Sequence, residues 1–398
     1  MTPFLRKLLG MNWVLFAATL AIALAGILFI NGASYLHPEK HYGQSQAQWV
    51  AYGVGVFLVT TLIDYRIIKI AAIPMYLGSV ALVALTYTSR GVLVGGAKCW
   101  LQLPGLGTFQ PSQLAVVAGI LVVALFLSAC RSWHPILKLM GTGIIVAPAM
   151  VLILKQPDFG MTLVWMPVLL TMLWFEGIPK RWMLLVLLVG LTALPPVICF
   201  GLKPYQRARV TTFIDPELDP QGSGYAVNQS LIAIGSGGVN GKGFKAEGTQ
   251  LELGLIPSTV AHTDYIFTTI GEQWGFLGGL AILSAFAVLL LSCLATALRA
   301  REPFGLLIVG GVTAQIFFHV YQNIGMTIAL MPITGLPLPL ISYGGTFALT
   351  VMFSLGLVNS VWVHRKQEEK EEDDKKSLLA SFGELVRIPR FLSGSKRN

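Results

Sequence analysis

Ten long apolar runs dominate the sequence, at about 13–32, 47–63, 70–87, 112–129, 136–154, 159–175, 182–201, 274–298, 304–325 and 344–363. About twenty apolar residues are what a helix needs to cross the hydrocarbon layer, where every backbone N–H and C=O must be satisfied within the segment. The composition agrees: of the 398 residues 54% are apolar and only 12% are charged, and the mean hydropathy is +0.69. Soluble domains carry about a quarter charged residues. A disordered chain and an ordinary soluble enzyme are therefore excluded. The cysteines Cys99, Cys130, Cys199 and Cys293 form no C-x-x-C pair, so a disulfide scaffold and a zinc or thiol-redox motif are excluded too. The first run is too long for a signal-peptide core, and no small-residue cleavage site follows it. The expected fold class is an all-α integral membrane protein with about ten transmembrane helices.

Lysine and arginine set the expected orientation. With the N-terminus inside, Arg6, Lys7, Arg66, Lys69, Arg131, Lys138, Lys180, Arg181, Arg299 and Arg301 all fall on inside segments, as the positive-inside rule requires. Both termini are then cytoplasmic, and much of the net charge of +9 is topology rather than a nucleic-acid surface. Two outside segments are too long to be simple connectors, residues 87–111 and the large loop 202–263 between spans seven and eight, and loops of this length are usually functional. Residues 1–363 read as one polytopic membrane domain and 364–398 as a cytoplasmic tail. The tail opens with a charge run, Arg365 to Lys376, expected to be solvated and disordered. It continues with Leu378, Leu379, Phe382, Leu385 and Val386 at helical spacing, either a surface-lying helix or a docking helix for a cytoplasmic partner.

Charges at membrane depth are functional candidates by default. Asp264 lies where the large outer loop meets the eighth span. A half-desolvated carboxylate there has a raised pKa and suits general-base work on a hydroxyl; the alternative is a helix N-cap. Glu272 lies about 80° farther round an ideal helix. His262 is a candidate substrate contact, or a structural hydrogen-bonder. The glycine-rich stretch Gly235–Gly243 fails the P-loop pattern, yet its N–H groups with Lys242 suit anionic oxygens. Arg207 and Arg209, near the outer headgroup level, match phosphate oxygens bidentately, or else snorkel. Trp100 is either an interfacial belt residue or a platform for a sugar ring. The segment Pro332–Gly345 has three prolines and is expected to be irregular and to line a cavity, since irregular backbone at membrane depth needs cover.

Together these motifs resemble the SEDS family (shape, elongation, division and sporulation), which includes RodA, FtsW and SpoVE. The carrying segments are Gly95-Gly96-Ala97-Lys98 through Trp100, Phe109-Gln110-Pro111-Ser112, Lys155-Gln156-Pro157-Asp158-Phe159-Gly160, Gln229–Gly238, His262-Thr263-Asp264-Tyr265-Ile266-Phe267 and Pro332–Gly345. Thr334-Gly335-Leu336-Pro337-Leu338-Pro339 resembles the RodA-like branch. The resemblance implies a peptidoglycan glycosyltransferase of the bacterial cytoplasmic (inner) membrane, its active site facing outside. It would polymerise lipid II, the undecaprenyl-pyrophosphate-linked disaccharide-peptide, for cell elongation and rod shape. It implies Asp264 as the essential carboxylate and Trp100 as the family's outer-loop tryptophan. A divalent cation, Mg or Mn, is implied with no ligands visible. The implied partners are a class B penicillin-binding protein transpeptidase and other elongation-complex membrane proteins. Three positions in two motifs depart from the family pattern: Cys99 stands at an arginine position, and Gln113 and Val116 replace an acid and a base. A lipid-linked precursor flippase and a catalytically weakened scaffold for a transpeptidase remain the alternatives.

Overall fold

The computed structural model describes residues 3–36, 38–94, 97–103, 107–156, 158–196, 207, 209, 211–213 and 223–385. Its helices are α1 (Pro3–Leu9), α2 (Trp13–Ala33), α3 (Tyr42–Leu62), α4 (Tyr65–Leu85), α5 (Pro111–Ala129), α6 (Pro135–Lys155), α7 (Phe159–Phe175), α8 (Lys180–Pro196), α9 (Ser223–Gly237), α10 (Ser258–Ala261), α11 (Ile266–Ala297), α12 (Pro303–Thr327) and α13 (Gly345–Leu385). Among the described residues seven helices are long and apolar enough to cross a membrane: α2, α4, α5, α6, α11, α12 and the Gly345–Arg365 part of α13. Helices also occupy the other three expected spans. α3 is long enough but begins with Gln44, Gln46 and Gln48, and α7 and α8 are shorter.

Local signals start and bend these helices. Pro111, Pro135 and Pro303 open α5, α6 and α12, at the position where a missing N–H is harmless. Asn12 caps α2 by accepting from Leu15 N at 3.1 Å, and Asp64 caps α4 through Arg66 N at 2.9 Å. Internal prolines stand at Pro74, Pro148 and Pro167. α5, α12 and the first half of α13 are mostly buried and form the centre, whereas α4 and α6 expose most of their surface, as helices facing lipid do.

Two elements depart from the sequence reading. The first outer segment is not a plain loop: β1 (Gly91–Val94), β2 (Ala97–Leu103) and β3 (Gly107–Phe109) form an antiparallel sheet in the order β1-β2-β3. Pairing satisfies backbone groups that a loop at the membrane rim would leave open. The charge run expected to be disordered instead continues α13 as helix to Leu385. Glu371 and Glu372 stand four residues before Lys375 and Lys376, the spacing that favours a helix. Val386, the last residue of the apolar stripe, lies outside the described residues, as do residues 387–398.

Candidate active site

Asp264 lies in the turn between α10 and α11. It is not the N-cap: Tyr265 holds that position and makes no side-chain cap bond. The residue keeps part of its surface exposed, but protein encloses its carboxyl. Burial therefore pushes this acid up to about 7, with the charge of Asp158 adding to the shift and that of Arg209 opposing it. The carboxylate faces the irregular Pro332–Gly345 segment. Gly335 adopts φ 72°, and a Cβ built there would stand 3.4 Å from Asp264 Oδ2.

Asp158 is the second carboxylate of the site. It caps α7 by accepting from Met161 N at 3.0 Å, and it also accepts from Gln110 Nε2 at 2.7 Å and Ser112 Oγ at 3.4 Å. Gln113 extends the chain by donating from Nε2 to Gln110 Oε1 at 3.0 Å. Burial raises the pKa of Asp158, and these bonds from Met161, Gln110 and Ser112 partly offset the rise. The charge of Asp158 also adds to the burial that pushes the Cys99 thiol up to about 12. Cys99, electrostatically, and Gln113, through Gln110, thus both bear on this one carboxylate. Asp158 was missed as a site residue in the sequence, although an acid at membrane depth is the same signal that singled out Asp264.

The remaining candidates spread around this pair. Arg209 reaches Asp264 electrostatically, while Arg207 is exposed and its carbonyl accepts from Thr211 Oγ1 at 3.1 Å. Lys242 is committed elsewhere: its Nζ lies 2.7 Å from Glu272 Oε1 and donates to Gly248 O at 3.1 Å. Glu272, buried on α11, also accepts from Gln250 N at 2.7 Å, so it belongs to this loop anchor. The glycine-rich stretch is not an open anion cradle. Lys242 N and Gly243 N donate to Glu272 O and Gln273 O, and Phe276 N and Leu277 N donate to Gly238 O and Val239 O. α11 breaks at Gly275 (φ 63°, ψ −161°) to make those bonds. His262 is buried and stacked on Tyr42 with ring centroids 4.1 Å apart. Trp100, on β2, pairs with Val92 of β1, and strand alternation sets it on the opposite face from the buried Cys99.

An apolar groove of about 530 Å³ runs along α4 past Pro74, Met75, Gly78 and Leu82 to Leu114, the residue after Gln113. Fold and site together define a multi-pass helical membrane protein in which Asp264 lies beside an irregular, protein-covered segment and within electrostatic reach of a second acid, Asp158.

The chain belongs to the FtsW/RodA/SpoVE cell cycle protein family, whose model matches residues 12–367. It is 36% identical to the peptidoglycan glycosyltransferase MrdB of Escherichia coli (strain K12), over 83% of this chain and 87% of that one. It is 31% identical to the peptidoglycan glycosyltransferase RodA of Treponema pallidum (strain Nichols), over 90% and 98%. In three dimensions it is similar to a chain from a peptidoglycan synthase complex that coordinates polymerization and crosslinking (TM-score 0.74, 30% identity, 90% of this chain and 99% of that one). It is similar also to the rod shape determining protein RodA of Thermus thermophilus (TM-score 0.66, 27% identity, 89% and 97%).

Proposed function

We propose that this chain is a peptidoglycan glycosyltransferase that polymerises lipid II on the outer face of the bacterial cytoplasmic membrane, with both termini inside. The observation that carries the reading is the Asp264 carboxyl: enclosed, with its pKa raised to about 7, and within electrostatic reach of Asp158 and Arg209. A base with its pKa near the working pH is the most effective proton acceptor for a hydroxyl. Asp264 takes the proton from the 4-hydroxyl of the acceptor sugar. That oxygen bonds to the anomeric carbon of the donor as the bond to the lipid pyrophosphate breaks. An α-linked donor then gives a β-linked product by inversion, so one base suffices and no covalent sugar–enzyme intermediate forms. Arg209 and Arg207 steady the departing pyrophosphate, for which a guanidinium fork is suited. Lys242, bound to Glu272, contributes by holding the outer loop. Trp100 and His262 belong to the walls that receive the sugar. The groove beside α4 suits the polyprenyl tail.

Among the described residues no group of three or more His, Cys, Asp or Glu could hold a metal ion by itself. A Mg or Mn ion would therefore have to take most of its ligands from the substrate phosphates and water. When bound, such an ion neutralises charge on the pyrophosphate.

The similarity to a chain of a synthase complex supports a class B penicillin-binding protein transpeptidase as partner, with other elongation-complex membrane proteins around it. The test is polymerisation of lipid II by the purified chain with such a partner. Asp264→Asn, which keeps shape and loses basicity, is expected to abolish polymer. Polymer at the parental rate would remove Asp264 from the chemistry.

A further inference from the structure

The carboxyl of Asp264 hangs on only two side-chain torsions, so its position is set by the backbone of residues 262–264. That backbone lies in a turn, where no helix or strand ladder fixes it. Instead its three successive carbonyls are each taken by a donor from another part of the chain. Tyr343 N donates to His262 O at 2.9 Å, Ser342 Oγ to Thr263 O at 2.6 Å, and Asn323 Nδ2 to Asp264 O at 2.9 Å.

Two of these donors do double work. Asn323 Nδ2 also donates to Leu336 O at 2.8 Å, next to the Gly335 that abuts the Asp264 carboxylate. Both neighbours of this nitrogen are carbonyl oxygens, which fixes the amide's orientation, since only the NH2 end can face two acceptors. One carboxamide thus ties the base's own backbone to the segment its carboxylate faces. Ser342 Oγ accepts from Leu338 N at 2.8 Å while donating to Thr263 O, and so ties the same two segments again. Asn323 is 0% exposed and Ser342 1%, so water does not compete for these bonds.

We propose that Asn323 and Ser342 are positioning residues for the polymerisation reaction: they clamp the 262–264 turn against the Pro332–Gly345 segment and so hold the Asp264 carboxylate at the acceptor hydroxyl. The inference rests on Asp264 being the base. Displacing a reacting group by about 1 Å can cost about 10²-fold in rate, which is the scale the clamp controls.

The test uses the full chain with its transpeptidase partner and lipid II, and measures kcat, KM and the pH profile for the parent, Asn323→Ala, Ser342→Ala and Asp264→Asn. The clamp predicts that Asn323→Ala lowers kcat by about 10²-fold with KM little changed and displaces the acid limb of the profile, because the carboxyl's surroundings shift. Ser342→Ala does the same to a smaller extent. A merely structural role would lower the melting temperature and the yield but leave kcat and the acid limb of the folded protein at parental values, and that result overturns the proposal. Failure of both variants to fold would make the clamp a folding element and overturn it as well. If Asp264→Asn polymerises normally, the base assignment falls. If Asp264→Asn is inactive and both clamp variants are normal, only the clamp falls.

Discussion

A single carboxyl illustrates how burial is exchanged for reactivity. Asp264 is neutral at low pH; above a pKa of about 7 it holds a charge that burial disfavours. Its stabilising contribution is therefore present below the pKa of a free aspartate, about 4, and is lost as pH rises through 7. Asp264→Asn is expected to melt at a higher temperature than the parent at pH 8, with the gap closing at pH 4. The same logic applies to Gln113, which reaches Asp158 through Gln110. Gln113→Glu adds a like charge to the site, so the acid limb of the activity profile is expected to move to higher pH; an unmoved limb would mean that Gln113 lies outside the electrostatic reach of the base. At this scale the sequence showed Asp264 through its place at the membrane rim. Asp158 was hidden inside a hexapeptide that reads first as a helix breaker, and its partners Gln110 and Ser112, at the start of α5, lie more than forty residues away along the chain.

Among the elements, the break in α11 organises the loop at residues 238–243. Gly275 occupies backbone space that is essentially reserved for glycine, and a Cβ there would collide with the backbone of Val239 and Gly241. Gly275→Ala is expected to destabilise the protein by about 1–3 kcal/mol from backbone strain, and to loosen residues 238–243 in hydrogen exchange. Unchanged exchange in that loop would count against the break as its anchor. The Lys242–Glu272 pair ties this loop to α11. The partners are thirty residues apart and meet one turn before the break in α11. Helix ends were legible where Pro, Asn or Asp marked them. The start of α3 was not, since hydropathy scores Gln46 as polar, whereas in the fold it is buried and accepts from Gly344 N at 3.2 Å. The outer sheet was missed because its strands are short and sit between glycines.

Seen whole, the molecule follows from its apolar runs: helices stand at every expected span, and the most buried of them, α5, α12 and α13, surround the polar segment that serves the site. What long-range order adds is the meeting of α5, α7, the 262–264 turn and the 332–345 segment at one pair of acids, which no local pattern encodes. The central claim is that this meeting makes Asp264 a base at neutral pH. The measurement that tests it most directly is kcat/KM for lipid II polymerisation as a function of pH. The account predicts an acid limb with its midpoint near pH 7 and no polymer from Asp264→Asn at any pH. A rate that stays level down to about pH 5, or an Asp264→Asn profile that keeps the parental limb, would contradict it.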